Sequence, residues 1–171
     1  MRMLLAAVAA LALSGSAAPK GTPQTLASFM AANGYRAIPL AKLPTGHETI
    51  QVTINGVTGT FILDSGAGAT VVNRASLARF GLGAGDRTRE NVTGIGAGGV
   101  FGIESYRVGG LMLGGQAVPL SVVRASDLGT VTDVLRAATK IDVQGVVGQD
   151  VLTRYRGVID VANSTLYLQV P

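Results

Sequence analysis

The chain has 171 residues, enough for one domain with a buried core, and a formal net charge of +4. Its 24 glycines, its low charged fraction of 14% and its lack of tryptophan favour a β-sheet protein with many tight turns over a helix bundle or a disordered chain. The absence of cysteine excludes disulfides. The basic residues are scattered without aromatic neighbours, which argues against a nucleic-acid partner.

The first 18 residues have the pattern of a secretory signal. Arg2 supplies the positive charge, residues 3–13 form an apolar run of 11 residues, and small residues fill positions 14–18. The run is well short of the ~20 residues that a membrane-spanning helix needs. We therefore expect a signal peptide at 1–18, a protein exported to the periplasm or secreted, and no stable membrane insertion. A membrane anchor or a buried first helix is the alternative.

Residues 19–45 are predicted to form an N-terminal helix and a connector. Thr22 is placed to cap the helix, Pro23 occupies the tolerated first position, and Gly34 ends it. The loose apolar alternation that follows is broken by Pro39, which indicates an edge strand or a connector.

The main domain is predicted at 46–171, and its clearest local structure is a hairpin. Apolar and polar residues alternate over 49–54, Asn55-Gly56 favours a type I′ turn, and the alternation resumes over 57–63. The second strand leads directly into Asp64.

Downstream of Asp64, short strands and helices alternate. Asn73 is predicted to cap a short helix that ends at Gly81. Residues 127–140 have a helical pattern, with Leu128, Val131, Val134, Leu135 and Ala138 on one predicted side. The remaining predicted elements are a strand at 70–72, a hairpin at 87–108 with its tip at 94–99, strands at 111–113, 117–123 and 143–147, a helix at 148–155, and a hairpin joining 158–160 to 166–168.

Asp64-Ser65-Gly66 is the first candidate for chemistry. An acid that follows the apolar residues 61–63 is predicted to be buried, and a buried carboxylate requires a partner or hydrogen bonds. Gly66 allows backbone amides to approach that carboxylate, and the Ser65 hydroxyl can bond a neighbouring backbone group. The alternative is an aspartate that only caps its own turn.

The sequence around the tripeptide resembles that of the retropepsin-like aspartic peptidases, and in particular that of their exported bacterial members. Residues 50–73 resemble the catalytic hairpin of that family, with Asp-Ser-Gly-Ala followed by a β-branched strand. The glycines of 94–99 resemble its flap tip, residues 146–152 its later strand and short helix, and residues 157–168 its terminal hairpin. The resemblance extends over about 49–168.

The resemblance implies an all-β fold, a retropepsin-like closed acid-protease barrel with a few short helices. It also implies an aspartic endopeptidase acting on a peptide or protein substrate. Asp64 would be catalytic, and Ser65 and Gly66 would support it. Gly94, Ile95 and Gly96 would form the flap that binds substrate.

Because the chain has one such motif, the resemblance further implies a homodimer in which two copies of Asp64 share a proton and activate water. No metal and no organic cofactor is required. The helical stretch 127–140 is longer than the minimal domain needs. The flap tip has no aromatic residue to clamp substrate, unless Phe101 or Tyr106 serves.

Three further patterns favour simpler interpretations. Gly94, Gly96 and Gly99 fit a dinucleotide fingerprint, but that fingerprint needs a helix opening at the glycines, and a strand pattern follows here. His47 is the only histidine, which argues against multi-imidazole metal sites and against a Ser-His-Asp scheme, and it is expected to be a solvated surface residue. Asp150 and the later Asp160 are interpreted as structural.

Two other classes of function remain open. One is a non-catalytic periplasmic binding or assembly module on the same fold, which would need neither a dimer nor a shared proton. The other is a monomeric β-barrel that binds lipid or sugar, with the glycine-rich loops as its mouth.

Overall fold

The computed structural model describes residues 25–96 and 99–171, with their side chains except those of residues 90–101. The predicted signal segment 1–18 lies outside the described residues. The prediction of a mostly β fold with a few short helices is confirmed. The strands are β1 (Arg36–Pro39), β2 (Ala41–Lys42), β3 (Glu48–Ile54), β4 (Val57–Leu63), β5 (Val71–Asn73), β6 (Arg87–Gly96), β7 (Gly99–Arg107), β8 (Leu111–Leu113), β9 (Gln116–Val118), β10 (Val122–Ser126), β11 (Gly145–Val147), β12 (Val158–Asp160) and β13 (Thr165–Leu168).

The helices are short. The first is capped by Thr25, whose hydroxyl oxygen accepts the Ser28 N–H at 3.1 Å, so the predicted cap at Thr22 is wrong; Thr22 itself lies outside the described residues. Gly81, with φ of 66°, ends the turns after β5 in the left-handed conformation, as predicted. The helices are α1 (Leu26–Ala32), α2 (Gly129–Thr139) and α3 (Gln149–Arg154), with 3-10 turns η1 (Arg74–Ser76) and η2 (Ala78–Phe80).

The strands form two sheets. The larger has the order β6-β7-β10-β5-β11-β4-β3-β8-β9, with β2 added beside β3, and the smaller has the order β1-β13-β12. In the described part of the chain, β6 pairs only with β7 and β9 only with β8, so the sheets do not close into a barrel. The closed barrel predicted from the sequence is wrong in that respect.

The β3–β4 hairpin forms for the local reasons that its sequence predicts. Asn55 and Gly56 have positive φ angles of 50° and 83°, as a type I′ turn requires. Ile54 pairs with Val57, so the alternating apolar residues of both strands face one core. The side chain of Asn55 also reaches outward, where its Oδ1 accepts the Gly109 N–H at 2.8 Å.

Strand β11 lies between β4 and β5, parallel to β4 and antiparallel to β5. The connection from β4 to β5 must therefore pass over the end of β11 at Val147. That connection is residues 64–70, called the Asp64 loop below. This crossing places the loop directly beside the start of α3.

Helix α2 packs through a different face from the one predicted. Thr132 and Leu135 are buried, whereas Val131 and Val134 are 56% and 64% exposed. Asn73 explains the rotation, because its amide donates to the Thr132 hydroxyl at 3.2 Å and so draws that side of the helix inward. Asn73 makes no side-chain cap for η1, so its predicted capping role is also wrong.

The N-terminal segment is paired with the rest of the fold. β1 pairs with β13, β2 pairs with β3, and α1 lies against β1 with Met30 buried. Within residues 25–96 and 99–171, none of the helices is long and apolar enough to cross a membrane.

Candidate active site

Asp64 is the first residue after β4 and begins a tight turn. Its N–H donates to the Val147 carbonyl at 3.0 Å, which ties the loop to the end of β11. Its Oδ1 accepts the Gly66 N–H at 2.8 Å, and its carbonyl accepts the Ala67 N–H at 3.2 Å. The backbone around the carboxylate is thus fixed by three hydrogen bonds.

The Asp64 carboxylate faces the surface of the single chain. Asp64, Ser65 and Gly66 are all exposed, so the predicted burial of the acid is wrong for the isolated subunit. The apolar residues Phe61 and Ile62 are buried while the chain turns out of the sheet after them. Among the described residues, the Gly66 N–H is the only hydrogen-bond donor to this carboxylate. The group is consequently available to a ligand or to a second molecule.

Gln149, at the start of α3, holds the Asp64 loop from outside. Its side-chain Nε2 donates to the Ser65 carbonyl at 2.6 Å, and its backbone N–H donates to the Ala67 carbonyl at 2.8 Å. The Thr153 hydroxyl donates to its Oε1 at 3.0 Å and orients the amide. Sequence reasoning missed Gln149, although its place directly after the Val-Val-Gly motif was a usable signal.

Gly148 allows this close approach. A Cβ added at Gly148 would lie 2.6 Å from the Ala67 carbonyl oxygen and 2.5 Å from the Ala69 carbonyl oxygen. Both distances are far below van der Waals contact, and both partners are backbone atoms that have no freedom to rotate away. The start of α3 and the Asp64 loop are therefore packed backbone against backbone, which only glycine permits here.

Thr70 and Asp150 brace the far end of the loop. One carboxylate oxygen of Asp150 accepts the Thr70 N–H and hydroxyl, each at 2.8 Å, and the Val151 N–H at 2.9 Å. The other oxygen lies 3.7 Å from Nη1 of Arg124. Thr70 is fully buried. The predicted structural role of Asp150 is confirmed, and its main partner is the loop rather than its own helix.

The predicted flap residues lie on another hairpin. Gly94, Ile95 and Gly96 form the end of β6 and pair with residues 99–101 of β7, while the tip residues 97–98 lie outside the described residues. Because β7 continues as a strand, no helix opens at these glycines, which rules out the dinucleotide motif.

The structure thus brings Asp64, Ser65 and Gly66 together in one loop but places the flap residues elsewhere in the same sheet. Strands β10, β5 and β11 lie between the hairpin and β4, the strand that Asp64 follows. Tyr106 has a buried ring, and its hydroxyl donates to Glu104 at 3.0 Å, so it is not available to clamp substrate.

The remaining candidates have ordinary structural roles. His47 is exposed, as predicted, with Nδ1 3.0 Å from the Thr45 hydroxyl. Asp160 accepts the backbone and side-chain N–H groups of Asn163 at 3.1 and 2.8 Å, which shapes the turn after β12. No cluster of three or more His, Cys, Asp or Glu side chains suited to a metal occurs in the described part of the chain.

An open hollow of about 410 Å³ lies beside the Asp64 loop. It is formed on one side by Ser65 and on the other by α3 and the residues after it. A larger hollow of about 460 Å³ lies against α2 and has no lining residue from the Asp64 loop. The first hollow is lined by Ser65, Gln149, Leu152, Thr153, Arg156, Gly157 and Ile159.

Comparison with known proteins agrees with this geometry. The model of a family described as aspartyl protease matches residues 50–151, which include the Asp64 loop, the β6–β7 hairpin and the start of α3. The chain belongs to the aspartyl protease family. Membership of this family supports an aspartic protease activity.

A solved structure shows that the fold is retropepsin-like, as the sequence predicted. The crystal structure of a retropepsin-like aspartic protease from Rickettsia conorii matches with a TM-score of 0.50 at 16% sequence identity. The match covers 78% of this chain and 89% of that one. No curated protein matches the chain significantly.

Proposed function

We propose that this protein is an aspartic endopeptidase in which Asp64 acts together with Asp64 of a second, identical subunit. One observation carries the proposal above all. The carboxylate of the only Asp-Ser-Gly motif is exposed, accepts a single described hydrogen bond, and sits on a loop whose backbone is braced on both sides. A carboxylate that makes one hydrogen bond of its own, on a backbone fixed by several, is suited to catalysis rather than to stabilising the fold.

The mechanism follows from two carboxylates sharing one proton. Like charges in close contact do not both ionise, so one Asp64 is an anion and the other is a neutral acid. The anion accepts a proton from a water molecule, and the water oxygen attacks the carbonyl carbon of the scissile peptide bond. The neutral acid donates its proton to the carbonyl oxygen, which gives a tetrahedral diol. The C–N bond then breaks as the carboxyl group that took the water proton gives it to the leaving nitrogen, while the other carboxylate takes a proton from one hydroxyl, so that the pair again shares one proton. Neither a metal nor an organic cofactor takes part.

The second carboxylate has to come from another chain. Asp64 is the only acid in residues 64–70, and Asp150, the acid next to the loop, is already engaged by Thr70, Val151 and Arg124. A two-fold axis beside the loop would set the same residue against itself, as isologous contacts do. The exposure of Asp64 and Ser65 in one subunit is what such a contact needs.

The β6–β7 hairpin supplies the cover in this proposal. Gly94 and Gly96 bring no side-chain bulk to the backbone on either side of Ile95, which suits an extended peptide lying beneath this strand. Covering the cleft excludes bulk water from the two carboxylates and strengthens their interaction with the substrate. A peptide or protein segment in extended conformation is therefore the proposed substrate class.

The test is hydrolysis of a random peptide library by the mature protein and by Asp64→Asn. The variant keeps the side-chain shape but provides no anion, so we expect cleavage to fall by about 10²–10⁴-fold. Its melting temperature should stay within about 2 °C of the wild type, because Asp64 makes only one described side-chain hydrogen bond.

The control is Asp133→Asn. Asp133 is exposed on α2, paired with Arg136, and should leave activity unchanged. Undiminished hydrolysis by Asp64→Asn would reject the aspartic mechanism. A wild type that forms dimers but cleaves no peptide would favour the non-catalytic binding module.

We also propose that the protein is exported, on the basis of the charged start, apolar run and small residues of positions 1–18. Mass spectrometry of protein recovered from the cell envelope should find a mature N-terminus near Pro19. An intact Met1 in that fraction would contradict export with cleavage.

A further inference from the structure

The β6–β7 hairpin leaves the main sheet at Glu104. Strand β10 pairs with β7 from Arg107 to Glu104, and the rest of β7 toward the tip pairs only with β6. One side-chain contact extends slightly further, since the Ser126 hydroxyl donates to the Gly102 carbonyl at 3.3 Å. Glu104 is therefore the last residue of β7 that the sheet holds on both sides.

The backbone ladder is interrupted at the same level. Arg87 pairs with Tyr106 and Asn91 pairs with Glu104, so three residues of β6 lie opposite one residue of β7. Such a bulge removes regular ladder hydrogen bonds and lets the two strands bend. At the base of the hairpin, side-chain contacts thus add to the restraint that the irregular ladder gives.

The Glu104 carboxylate joins three elements at this point. One oxygen lies 2.9 Å from Nη2 of Arg87 on β6. The other oxygen accepts the Tyr106 hydroxyl at 3.0 Å and lies 3.9 Å from Nε of Arg74 on η1. The side chain of Glu104 is only 21% exposed, so water competes weakly for these contacts.

Arg74 links the base of the hairpin to the segment that follows the Asp64 loop. It lies in η1, which follows β5 directly, and β5 follows the Asp64 loop. The ring of Tyr106 is packed in the main core, which anchors the hydroxyl that Glu104 accepts. One carboxylate thus links the base of the hairpin to the core and to the segment that continues from the Asp64 loop.

We propose that Glu104 is a positioning residue that sets the angle at which the β6–β7 hairpin leaves the sheet, through its contacts with Arg87, Tyr106 and Arg74. It acts on substrate binding through the hairpin and touches no reacting atom. Its effect on turnover rests on the proposed function, whereas its effect on the hairpin does not.

Hydrogen–deuterium exchange of the full-length protein tests the proposal without reference to activity. In Glu104→Gln, the amides of residues 91–96 and 99–103 should exchange about tenfold faster than in the wild type. The amides of β3 and β4 should be unchanged, and Asp133→Asn should behave as the wild type throughout.

A second variant helps to distinguish a local change in the hairpin from a general loss of stability. Arg74→Ala keeps the Arg87 and Tyr106 contacts and removes only the link to η1, so it should give the same local change to a smaller extent. Unchanged hairpin exchange in both variants would overturn the proposal. Equal acceleration in the hairpin and in β3–β4 would also overturn it, because Glu104 would then stabilise the whole fold.

Steady-state kinetics supply the functional readout. Glu104→Gln should raise KM about tenfold with kcat within about twofold, as expected when substrate binding is lost and the chemical step is intact. If the wild type has no peptidase activity, the proposed function fails, and the exchange experiment still decides the role of Glu104. A fall in kcat at constant KM would contradict a positioning role.

Discussion

The Asp64 loop and the β6–β7 hairpin are held in opposite ways. The loop is bonded along both of its sides, by Val147 at the end of β11 and by Gln149 and Asp150 of α3. Beyond Glu104, the hairpin has its two strands paired mainly with each other. Segments with few attachments open at a lower free energy than segments tied into the core. The fold thus holds Asp64, the proposed catalytic residue, firmly in place and leaves the hairpin, the proposed cover, easier to displace.

The largest effect is expected when the packing that holds the Asp64 loop is disturbed. Gly148→Ala would place a Cβ 2.5–2.6 Å from two carbonyl oxygens of the loop. Backbone there has to shift, so we expect the free energy of unfolding to fall by about 2–3 kcal/mol. Urea denaturation followed by circular dichroism measures the change.

Gly68→Ala is the matched control for that variant. Gly68 lies in the same loop, and an added Cβ there would have nothing within 4 Å. Its free energy of unfolding should stay within about 0.5 kcal/mol of the wild type. Equal effects of the two substitutions would show that the loop is not braced through Gly148.

At the base of the hairpin, a smaller effect is expected, in which the free energy of unfolding depends on pH through Tyr106. Burial, then the hydrogen bond to the Glu104 carboxylate and its negative charge, raise the pKa of Tyr106 above 10.0, against the opposing charges of Arg87 and Arg74. A raised folded-state pKa contributes stability that is complete below pH ~10 and is lost as pH rises through the folded value. The free energy of unfolding should therefore decline above pH ~10.

Tyr106→Phe should lack this decline, and Glu104→Gln should shift the ultraviolet titration of Tyr106 to lower pH. Absorbance of the wild type minus that of Tyr106→Phe isolates the titration. A Tyr106 titration that is the same with and without the Glu104 carboxylate would contradict the contact at the hairpin base.

Features governed by neighbouring residues could be predicted from the sequence. Asn55-Gly56 selected the hairpin turn because both residues tolerate positive φ, and the alternation around it set which side faces the core. The tripeptide at Asp64 and the glycines of β6 were located by motif and order. These signals lie within a few residues of the structure that they predict.

Features governed by distant residues could not. The brace of the Asp64 loop joins Thr70 to Asp150 across 80 positions, and no local pattern encodes that contact. The face of α2 was predicted wrongly because a partner outside the helix, Asn73, draws Thr132 inward and leaves Val131 exposed. The predicted burial of Asp64 failed because apolar neighbours report on the strand and not on the turn that follows it.

Subunit mixing tests the central claim most directly. A fixed amount of wild type is equilibrated with a ~ninefold excess of Asp64→Asn, and peptide hydrolysis is measured before and after mixing. If each active site needs Asp64 from two subunits, about one wild-type subunit in ten retains a wild-type partner, so activity should fall to about a tenth. When the same excess of Asp64→Asn is present but subunit exchange is prevented, the rate of hydrolysis should be unchanged. Full activity after complete subunit exchange would contradict the shared site.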